Sequence, residues 1–385
     1  MSVIKTKTVT LKSIALGLLS TLTMLFSGAA SADYELNMTQ GATPISQEVY
    51  DLHMLILWVC VIIGVIVFGV MFWSILRHRK SKGAVAKQFH HNTTAELVWT
   101  VIPIIILVSM AFPATKTLQE MEDTSNADMT IKVTGYQWRW KYDYVDEGFG
   151  FFSNLATDSS DISKLNSGKD PASADHYLRN VDNPVVVPVN TKVRFLATSA
   201  DVIHSWWVPD LGWKKDAIPG YVNESWAEID KPGIYRGQCA ELCGKGHAYM
   251  PIVVKAVSED EYYDWVGEQL AMQEQEAAGA EREWSRDELM EKGEKVYGTI
   301  CSACHQANGQ GVPGAFPALA GSAVATGPVD KHIDTVMHGV SGTAMQAFAA
   351  QLNDVDLASV ITYERNAFGN DTGDVVQPAD IKAKR

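Results

Sequence analysis

Two apolar runs without charge, near the start of the chain, restrict its fold more than any other feature. Leu55–Leu76 holds 22 residues with no charged side chain, and Leu97–Ala114 holds a further 18. The hydrocarbon core of a bilayer is about 30 Å thick, which about 20 apolar helical residues can cross. The sequence therefore predicts a transmembrane helical hairpin, with spans over about 53–76 and 94–114 and a segment 33–114 in all.

Charges on either side of these runs orient the hairpin. The loop between them carries five Lys or Arg residues and no carboxylate, whereas the stretch 33–54 carries four carboxylates and no Lys or Arg. By the positive-inside rule the loop is cytoplasmic and both termini lie outside. Residues 1–32 combine lysines, an apolar core and an Ala-x-Ala site before Asp33, which predicts a secretory signal peptide and the same orientation. An uncleaved first membrane helix is the alternative.

A β-rich block, residues 115–258, follows the hairpin. Residues 129–144 alternate strictly, which predicts a strand with five aromatic side chains on one face: Tyr136, Trp138, Trp140, Tyr142 and Tyr144. Further strand-like runs cover 185–198 and 225–238, and no helical period appears between 129 and 257. The composition of 146–175 favours one long surface loop. We expect an all-β sandwich or barrel.

The character of the chain changes after Ser258. Residues 259–295 hold 13 acidic side chains against four basic ones, and 259–286 is predicted to be a solvated helical linker. A separate all-α unit is predicted over 287–371, followed by a tail over 372–385. The formal charge of the whole chain is −13, which argues against a nucleic-acid partner because such proteins present a basic face.

A first motif gathers two thiols, an imidazole and a thioether within twelve residues: Cys239, Cys243, His247 and Met250. Thiolate and imidazole together suit copper, and a weak axial Met marks electron-transfer sites. Two cysteines in one loop can bridge two copper ions, and a second imidazole must then come from elsewhere. His204, at the end of the Val193–Ser199 strand, is the candidate. A Cys239–Cys243 disulfide and a structural zinc site are the alternatives.

A second motif, Cys301-Ser-Ala-Cys304-His305, is the Cys-x-x-Cys-His signature of c-type haem attachment. Two thioether bonds would hold the porphyrin and His305 would ligate the iron, although the pentapeptide could also be a redox pair. Met345 is the favoured sixth ligand, since a Met/His pair raises the potential of the haem. Met337, His332 and His338 are the alternatives.

Four segments carry a family resemblance: residues 95–103, 135–144, 201–220 and 237–254. Over residues 38–257 and 287–369 the chain resembles subunit II of a haem–copper cytochrome c oxidase, in the bacterial form with a fused C-terminal cytochrome c domain. The resemblance implies a two-helix membrane hairpin, an all-β cupredoxin-like Greek-key barrel and an all-α cytochrome c domain.

The resemblance also implies roles for individual residues. Its dinuclear CuA centre would use Cys239 and Cys243 as bridges, His204 and His247 as terminal ligands, and Met250 and the Glu241 carbonyl as axial ligands. The Glu241 side chain would bind magnesium at the subunit I interface. Trp138 matches the aromatic through which electrons enter, or is a packed sheet residue. Glu96 matches the carboxylate at a proton-channel mouth, or is an interfacial charge. The family usually has Pro after the Met ligand, whereas Gln346 follows Met345 here.

The implied function is electron entry into a proton-pumping oxidase of the bacterial inner membrane, with the redox domains in the periplasm. The partners would be oxidase subunits I and III, a cytochrome c donor and the lipid bilayer. Three other functions are considered, and each would lack a feature that this sequence has. A quinol oxidase subunit would lack the copper ligands, a nitrous-oxide reductase would lack the anchored hairpin, and a copper carrier would lack the covalent haem.

Overall fold

The computed structural model describes residues 37–85, 90–164 and 166–385. The predicted signal peptide, residues 1–32, lies outside this range. The chain divides into two compact units between Glu259 and Asp260, and each unit is considered by itself.

Two long apolar helices open the first unit: α1 over Pro44–Arg77 and α2 over Thr93–Met121. Helix α1 starts with a capping box in which the Thr43 and Ser46 hydroxyls accept each other's backbone N–H at 3.0 Å. Both helices are long and apolar enough to cross a bilayer, and their apolar side chains are exposed. The predicted helical hairpin is confirmed, and each helix extends beyond the span predicted for it.

In the part of the chain that the structure describes, ten strands then form two five-stranded sheets, in the orders β3-β2-β1-β5-β8 and β4-β10-β9-β6-β7. The pairs β1–β5 and β10–β4 are parallel and the others are antiparallel. Non-sequential neighbours in both sheets are what a Greek-key β domain requires. The strands are β1 Met129–Tyr136, β2 Arg139–Tyr144, β3 Phe149–Ser153, β4 Val185–Pro188, β5 Lys192–Ser199, β6 His204–Val208, β7 Trp213–Ala217, β8 Asn223–Glu228, β9 Gly233–Cys239 and β10 Pro251–Val257.

The prediction of one continuous strand over 129–144 is wrong. Strands β1 and β2 form a hairpin that turns at Gln137 and Trp138, so Tyr136 pairs with Arg139. A two-residue turn exchanges odd and even positions between the faces of the sheet. Trp140 therefore points into the core with Tyr142 and Tyr144, whereas Tyr136 lies on the opposite face against Phe152, with ring centroids 5.3 Å apart.

Two other predictions about the barrel need correction. The expected loop over 146–175 contains β3 and a short helix, α3, over Thr157–Ser163. Strand β3 forms because Phe149 stacks on Tyr144 with ring centroids 4.8 Å apart, which the Gly- and Ser-rich composition concealed. The run 185–198 is two strands in different sheets, separated by a turn in which Asn190 has a positive φ of 54°.

The second unit is helical, as predicted. Its helices are α4 Glu259–Ala280, α5 Arg286–Val296, α6 Ser302–His305, α7 Val329–His338, α8 Asp354–Asn366 and α9 Pro378–Lys382, with a π-helical turn over Tyr297–Cys301. The predicted linker is largely the exposed helix α4. Residues 372–385, expected to form a tail, instead contribute Val376 and Ile381 to the buried core, because both side chains are apolar and pack against the helices.

Candidate metal and haem sites

The barrel brings two distant segments together at one end of the sheet β4-β10-β9-β6-β7. His204 is the first residue of β6 and Cys239 is the last residue of β9, and these strands are paired through Trp206 and Cys239. The Ala240 N–H continues this pairing by donating to the Ser205 carbonyl at 3.0 Å. The expected position of His204 at the end of β5 is wrong, because the chain turns after Ser199 and enters the other sheet.

Two thiols and two imidazoles meet at this end of the barrel. The sulfur atoms of Cys239 and Cys243 are 3.8 Å apart and form no disulfide. The Nδ1 atom of His204 lies 3.9 Å from the Cys239 sulfur, and the Nδ1 atom of His247 lies 3.6 Å from the Cys243 sulfur. The predicted donors therefore converge on one small volume, in which His204, Cys239 and Cys243 form a buried cluster able to hold a metal.

Two further donors complete the group. The thioether sulfur of Met250 is 3.5 Å from the Cys243 sulfur, and the backbone carbonyl oxygen of Glu241 is 3.3 Å from the Cys239 sulfur. The Glu241 side chain is exposed. His204, both cysteines and Met250 are at most 3% exposed, so water is largely excluded from the donor atoms. Buried thiol, imidazole and thioether donors of this kind fit copper better than zinc, for which Met is not a usual ligand.

The protonation of this cluster follows from its contacts. The contact with the Cys243 side chain lowers the pKa of Cys239 to about 3, against the effect of burial, and His204 adds to this. The same contact raises the pKa of Cys243. Burial lowers the pKa of His204, but hydrogen bonds to Asp201 and Cys239 outweigh it and the net pKa is raised.

The β1–β2 turn packs directly on the loop that carries Cys243. The Trp138 indole N–H donates to the Cys243 carbonyl at 3.0 Å, and Trp138 is partly exposed. A methyl group at Gly246 would collide with the indole ring, so only glycine allows this packing. The structure therefore places Trp138 between the surface of the barrel and the metal-site loop.

The haem attachment motif lies in the second unit. Cys301 ends the π-helical turn, and Cys304 and His305 lie in α6; neither cysteine is in a disulfide. His305 is 9% exposed, and its Nδ1 atom lies 2.8 Å from the Pro317 carbonyl oxygen. A carbonyl oxygen can only accept a hydrogen bond, so Nδ1 carries the proton and Nε2 is the atom available to a metal. This is the tautomer that a haem-ligating histidine requires.

The candidate sixth ligands have different surroundings. Met345 is partly buried in a loop closed by a hydrogen bond from the Val340 N–H to its carbonyl at 3.0 Å. Met337 is fully buried in the apolar core. The Nε2 atom of His332 is 2.9 Å from a Glu364 carboxylate oxygen, and His338 is exposed. Of the four, Met345 is the one held on a loop rather than in the core or an ion pair.

The domains match models of known families. Residues 129–257 match "Cytochrome C oxidase subunit II, periplasmic domain", residues 31–117 match its transmembrane domain, and residues 288–363 match "Cytochrome C oxidase, cbb3-type, subunit III". A probable cytochrome c oxidase subunit 2 of Rickettsia prowazekii is 42% identical over 233 residues, which are 60% of this chain and 72% of the relative. The Arabidopsis thaliana subunit 2 is 40% identical, over 64% of this chain and 94% of the relative.

This chain belongs to the cytochrome c oxidase subunit II family. The periplasmic domain of the Bradyrhizobium japonicum subunit II is 43% identical, covering 39% of this chain and 98% of that one, with a TM-score of 0.34. The family membership and the matching domains make the chain a membrane subunit of an electron-transferring oxidase, with a C-terminal cytochrome c domain. Its subunit II domain implies CuA and its cytochrome domain implies haem c.

Glu96, the other tentative site residue, lies in the first turn of α2. Its carboxylate accepts the Asn92 N–H at 3.2 Å, while the Asn92 side chain accepts the Ala95 N–H at 3.1 Å. This reciprocal cap satisfies donors at the start of the helix. The Glu96 side chain is exposed. By capping the helix it stabilises the start of α2, independently of any other role of this carboxylate.

Asp201 and Gln137 contact the metal-site residues and were not predicted from the sequence. A carboxylate oxygen of Asp201 lies 2.9 Å from the His204 Nε2 atom, and the Gln137 side-chain amide donates to the Cys243 carbonyl at 2.8 Å. The sequence signal was the position of Asp201 three residues before the candidate ligand His204. Gln137 had no signal of its own, because its contact depends on the unpredicted β1–β2 turn.

Proposed function

We propose that this chain is the electron-entry subunit of a proton-pumping terminal cytochrome c oxidase. Electrons from a cytochrome c donor would pass by way of haem c and dinuclear copper to the haem centre of subunit I, where oxygen is reduced to water. One observation supports the proposal most strongly: six donor groups converge at one end of the barrel. They are two thiols, two imidazoles, a thioether and a carbonyl oxygen, and each lies within 4 Å of at least one other.

Copper would be held by the Cys239 and Cys243 thiolates, the His204 and His247 imidazoles, the Met250 thioether and the Glu241 carbonyl oxygen. Copper held there would supply one-electron transfer. The strands β6 and β9 hold two of the donors rigidly, and burial keeps water from them.

The cytochrome domain would attach its haem through thioether bonds to Cys301 and Cys304. His305 would ligate the iron through Nε2, held in this orientation by the Pro317 carbonyl. Met345 would be the sixth ligand, and a Met/His pair gives the raised potential that suits an electron-accepting cytochrome.

Three further roles rest on position. Trp138 is proposed as the electron-entry aromatic of the copper site, supported by its partial exposure and its contact with the Cys243 carbonyl. Glu241 is proposed to serve two metals, since its carbonyl faces the cysteine sulfur while its side chain is free to face magnesium shared with subunit I. Glu96 is proposed to lie at the mouth of a proton channel in subunit I.

The proposed setting is the inner membrane of a bacterium, with subunits I and III as neighbours and both redox domains in the periplasm. The support is the charge difference between the loop joining α1 and α2, which is basic, and the acidic stretch before α1. This location would place both redox domains in an oxidising compartment.

Oxygen consumption by membranes from a strain that carries this chain as its sole subunit II tests the function. The His247→Ala variant removes one copper donor and leaves the second unit untouched. We expect its haem c to be reduced by added ferrocytochrome c but not reoxidised, with oxygen consumption falling at least 100-fold. Undiminished oxygen consumption would contradict the proposal, and a copper carrier would show no reducible haem at all.

A further inference from the structure

The copper-site residues on β6 and on the β9–β10 loop are linked by a hydrogen-bond network outside the ligand set. The network runs through Asp201, in the turn before β6, and through the β1–β2 turn at Gln137 and Trp138. These elements come from three separate places in the sequence. They meet only because the barrel places the β1–β2 turn over the metal-site loop.

Asp201 contacts two sides of this network at once. One carboxylate oxygen lies 2.9 Å from His204 Nε2 and also accepts the Val202 N–H at 2.6 Å. The other carboxylate oxygen accepts the backbone N–H of Gln137 at 2.7 Å. The Asp201 side chain is 15% exposed, so these bonds are largely shielded from water. A single carboxylate therefore joins the β1–β2 turn to a candidate copper ligand.

The turn contacts the other half of the site. The Gln137 side-chain amide and the Trp138 indole both donate to the carbonyl oxygen of Cys243, at 2.8 and 3.0 Å. A carbonyl oxygen has two lone pairs, and both are used here. Gly244 and Gly246 lie against the same two side chains, where a Cβ would approach or strike them. The loop is thus held against the turn both by hydrogen bonds and by close packing.

We propose that Asp201 is a positioning residue for the copper centre, acting through His204 and, by way of the Gln137–Trp138 turn, through the Cys243 carbonyl. This inference rests on the proposed function. Asp201 keeps the proton of His204 on Nε2, so that Nδ1, the atom facing the Cys239 sulfur, is available to copper. The turn also fixes the position of the β9–β10 loop, which carries Cys243, relative to His204 on β6.

We expect substitutions of the residues in this network to have unequal effects on copper affinity. Loss of the Gln137 amide leaves the Trp138 indole on the same carbonyl, so the loop keeps one bond. Loss of the Asp201 carboxylate releases both His204 and the turn. Partners of metal ligands of this kind change metal affinity by about 10- to 100-fold when they are removed.

The test compares four variants of the full-length, haem-loaded chain with the unmodified chain. Copper ions are the probe: affinity is measured in competition with a chelator, and the bound copper is examined by electron paramagnetic resonance. The variants are Asp201→Ala, Asp201→Asn, Gln137→Ala and, as a matched control on an exposed carboxylate of β7, Asp216→Ala. Thermal unfolding of each metal-free chain separates loss of fold from loss of the site.

We expect Asp201→Ala to weaken copper binding about 10- to 100-fold and to alter the copper hyperfine pattern. Asp201→Asn should recover most of the affinity, because its amide oxygen still accepts from His204. Gln137→Ala and Asp216→Ala should stay within about threefold of the unmodified chain, and the metal-free unfolding temperatures of both Asp201 variants should match the control.

Two results would overturn the inference. Asp201→Ala with unchanged affinity and hyperfine pattern would show that Asp201 does not position the site. Equal loss of affinity in both Asp201 variants, with a matching drop in metal-free stability, would show a purely structural role. An unmodified chain that binds no copper would overturn the proposed function as well, and so is distinguishable from either.

Discussion

The copper site and the haem motif are built in opposite ways. The copper donors span residues 204–250 and meet only because β6 and β9 pair in the barrel. Three of the four residues proposed to attach or ligate the haem lie within five consecutive residues, 301–305. Folding would therefore assemble the proposed copper site, whereas covalent attachment to a local motif would create the proposed haem site. The copper site should consequently respond to changes anywhere in the barrel, and the haem site mainly to changes in its own motif.

Removing both bridging thiols should produce the largest difference between the sites. In the double variant Cys239→Ser, Cys243→Ser we expect copper content to fall to background, because hydroxyl groups are poor copper ligands. Haem content should stay at one per chain. Metal analysis and the haem absorbance of the purified full-length chain measure both; loss of haem together with copper would contradict the independence of the two sites.

Substitution of one glycine in each unit should destabilise that unit and leave the other unchanged. A methyl group at Gly237 on β9 would meet the Trp207 carbonyl, and one at Gly293 on α5 would meet the Ser359 carbonyl of α8. Overpacking of this kind costs about 1–3 kcal/mol. Gly237→Ala should lower copper retention on heating and leave the haem unit unchanged, and Gly293→Ala should do the reverse.

The control for this pair is Gly298→Ala, since a Cβ there meets nothing within 4 Å. Scanning calorimetry with copper and haem absorbance followed in parallel gives both transitions. If either glycine variant shifted both transitions equally, the two units would not be independent and the contrast between them would fail.

The sixth haem ligand gives a smaller and more local comparison. Met345→Leu should abolish the methionine-to-iron absorption of the oxidised haem and lower its potential, because the thioether favours the reduced form. Met337→Leu conserves volume in the buried core and should cost less than about 1.5 kcal/mol with an unchanged spectrum. The opposite pattern would assign the ligand to Met337.

A titration of the α5 cap should give the smallest effect. The Ser285 hydroxyl and backbone N–H, followed by Arg282, lower the pKa of Glu288 to about 2. A lowered pKa in the folded state stabilises the fold above the ordinary carboxyl value of 4.5, and this contribution is lost as the pH falls towards 2.

Glu288→Gln should therefore lower the unfolding temperature of the haem unit slightly at pH 7, with the difference from the unmodified chain vanishing near pH 2. The transition of the barrel serves as the internal reference. A difference that persists at pH 2 would show that the charge of Glu288 is not its cause.

Features set by neighbouring residues could be predicted from the sequence, whereas features that depend on long-range contacts could not. The membrane helices and the haem motif are continuous in sequence, so composition and spacing were sufficient. The β1–β2 turn escaped because Gln137-Trp138 is not a typical turn pair and strict alternation continued through it. The expected place of His204 was wrong because the sheet to which a strand belongs depends on long-range pairing. Asp201 and Gln137 escaped for the same reason, since their roles exist only once β1, β6 and the metal-site loop meet.

The most direct test of the account is the copper content and paramagnetic resonance of the full-length chain, matured with haem and titrated with copper. The account predicts two copper ions per haem, with one unpaired electron shared between them. A single copper ion with a localised electron, or a Cys239–Cys243 disulfide that takes up no metal, would contradict it and leave a membrane-anchored cytochrome c with a structural barrel.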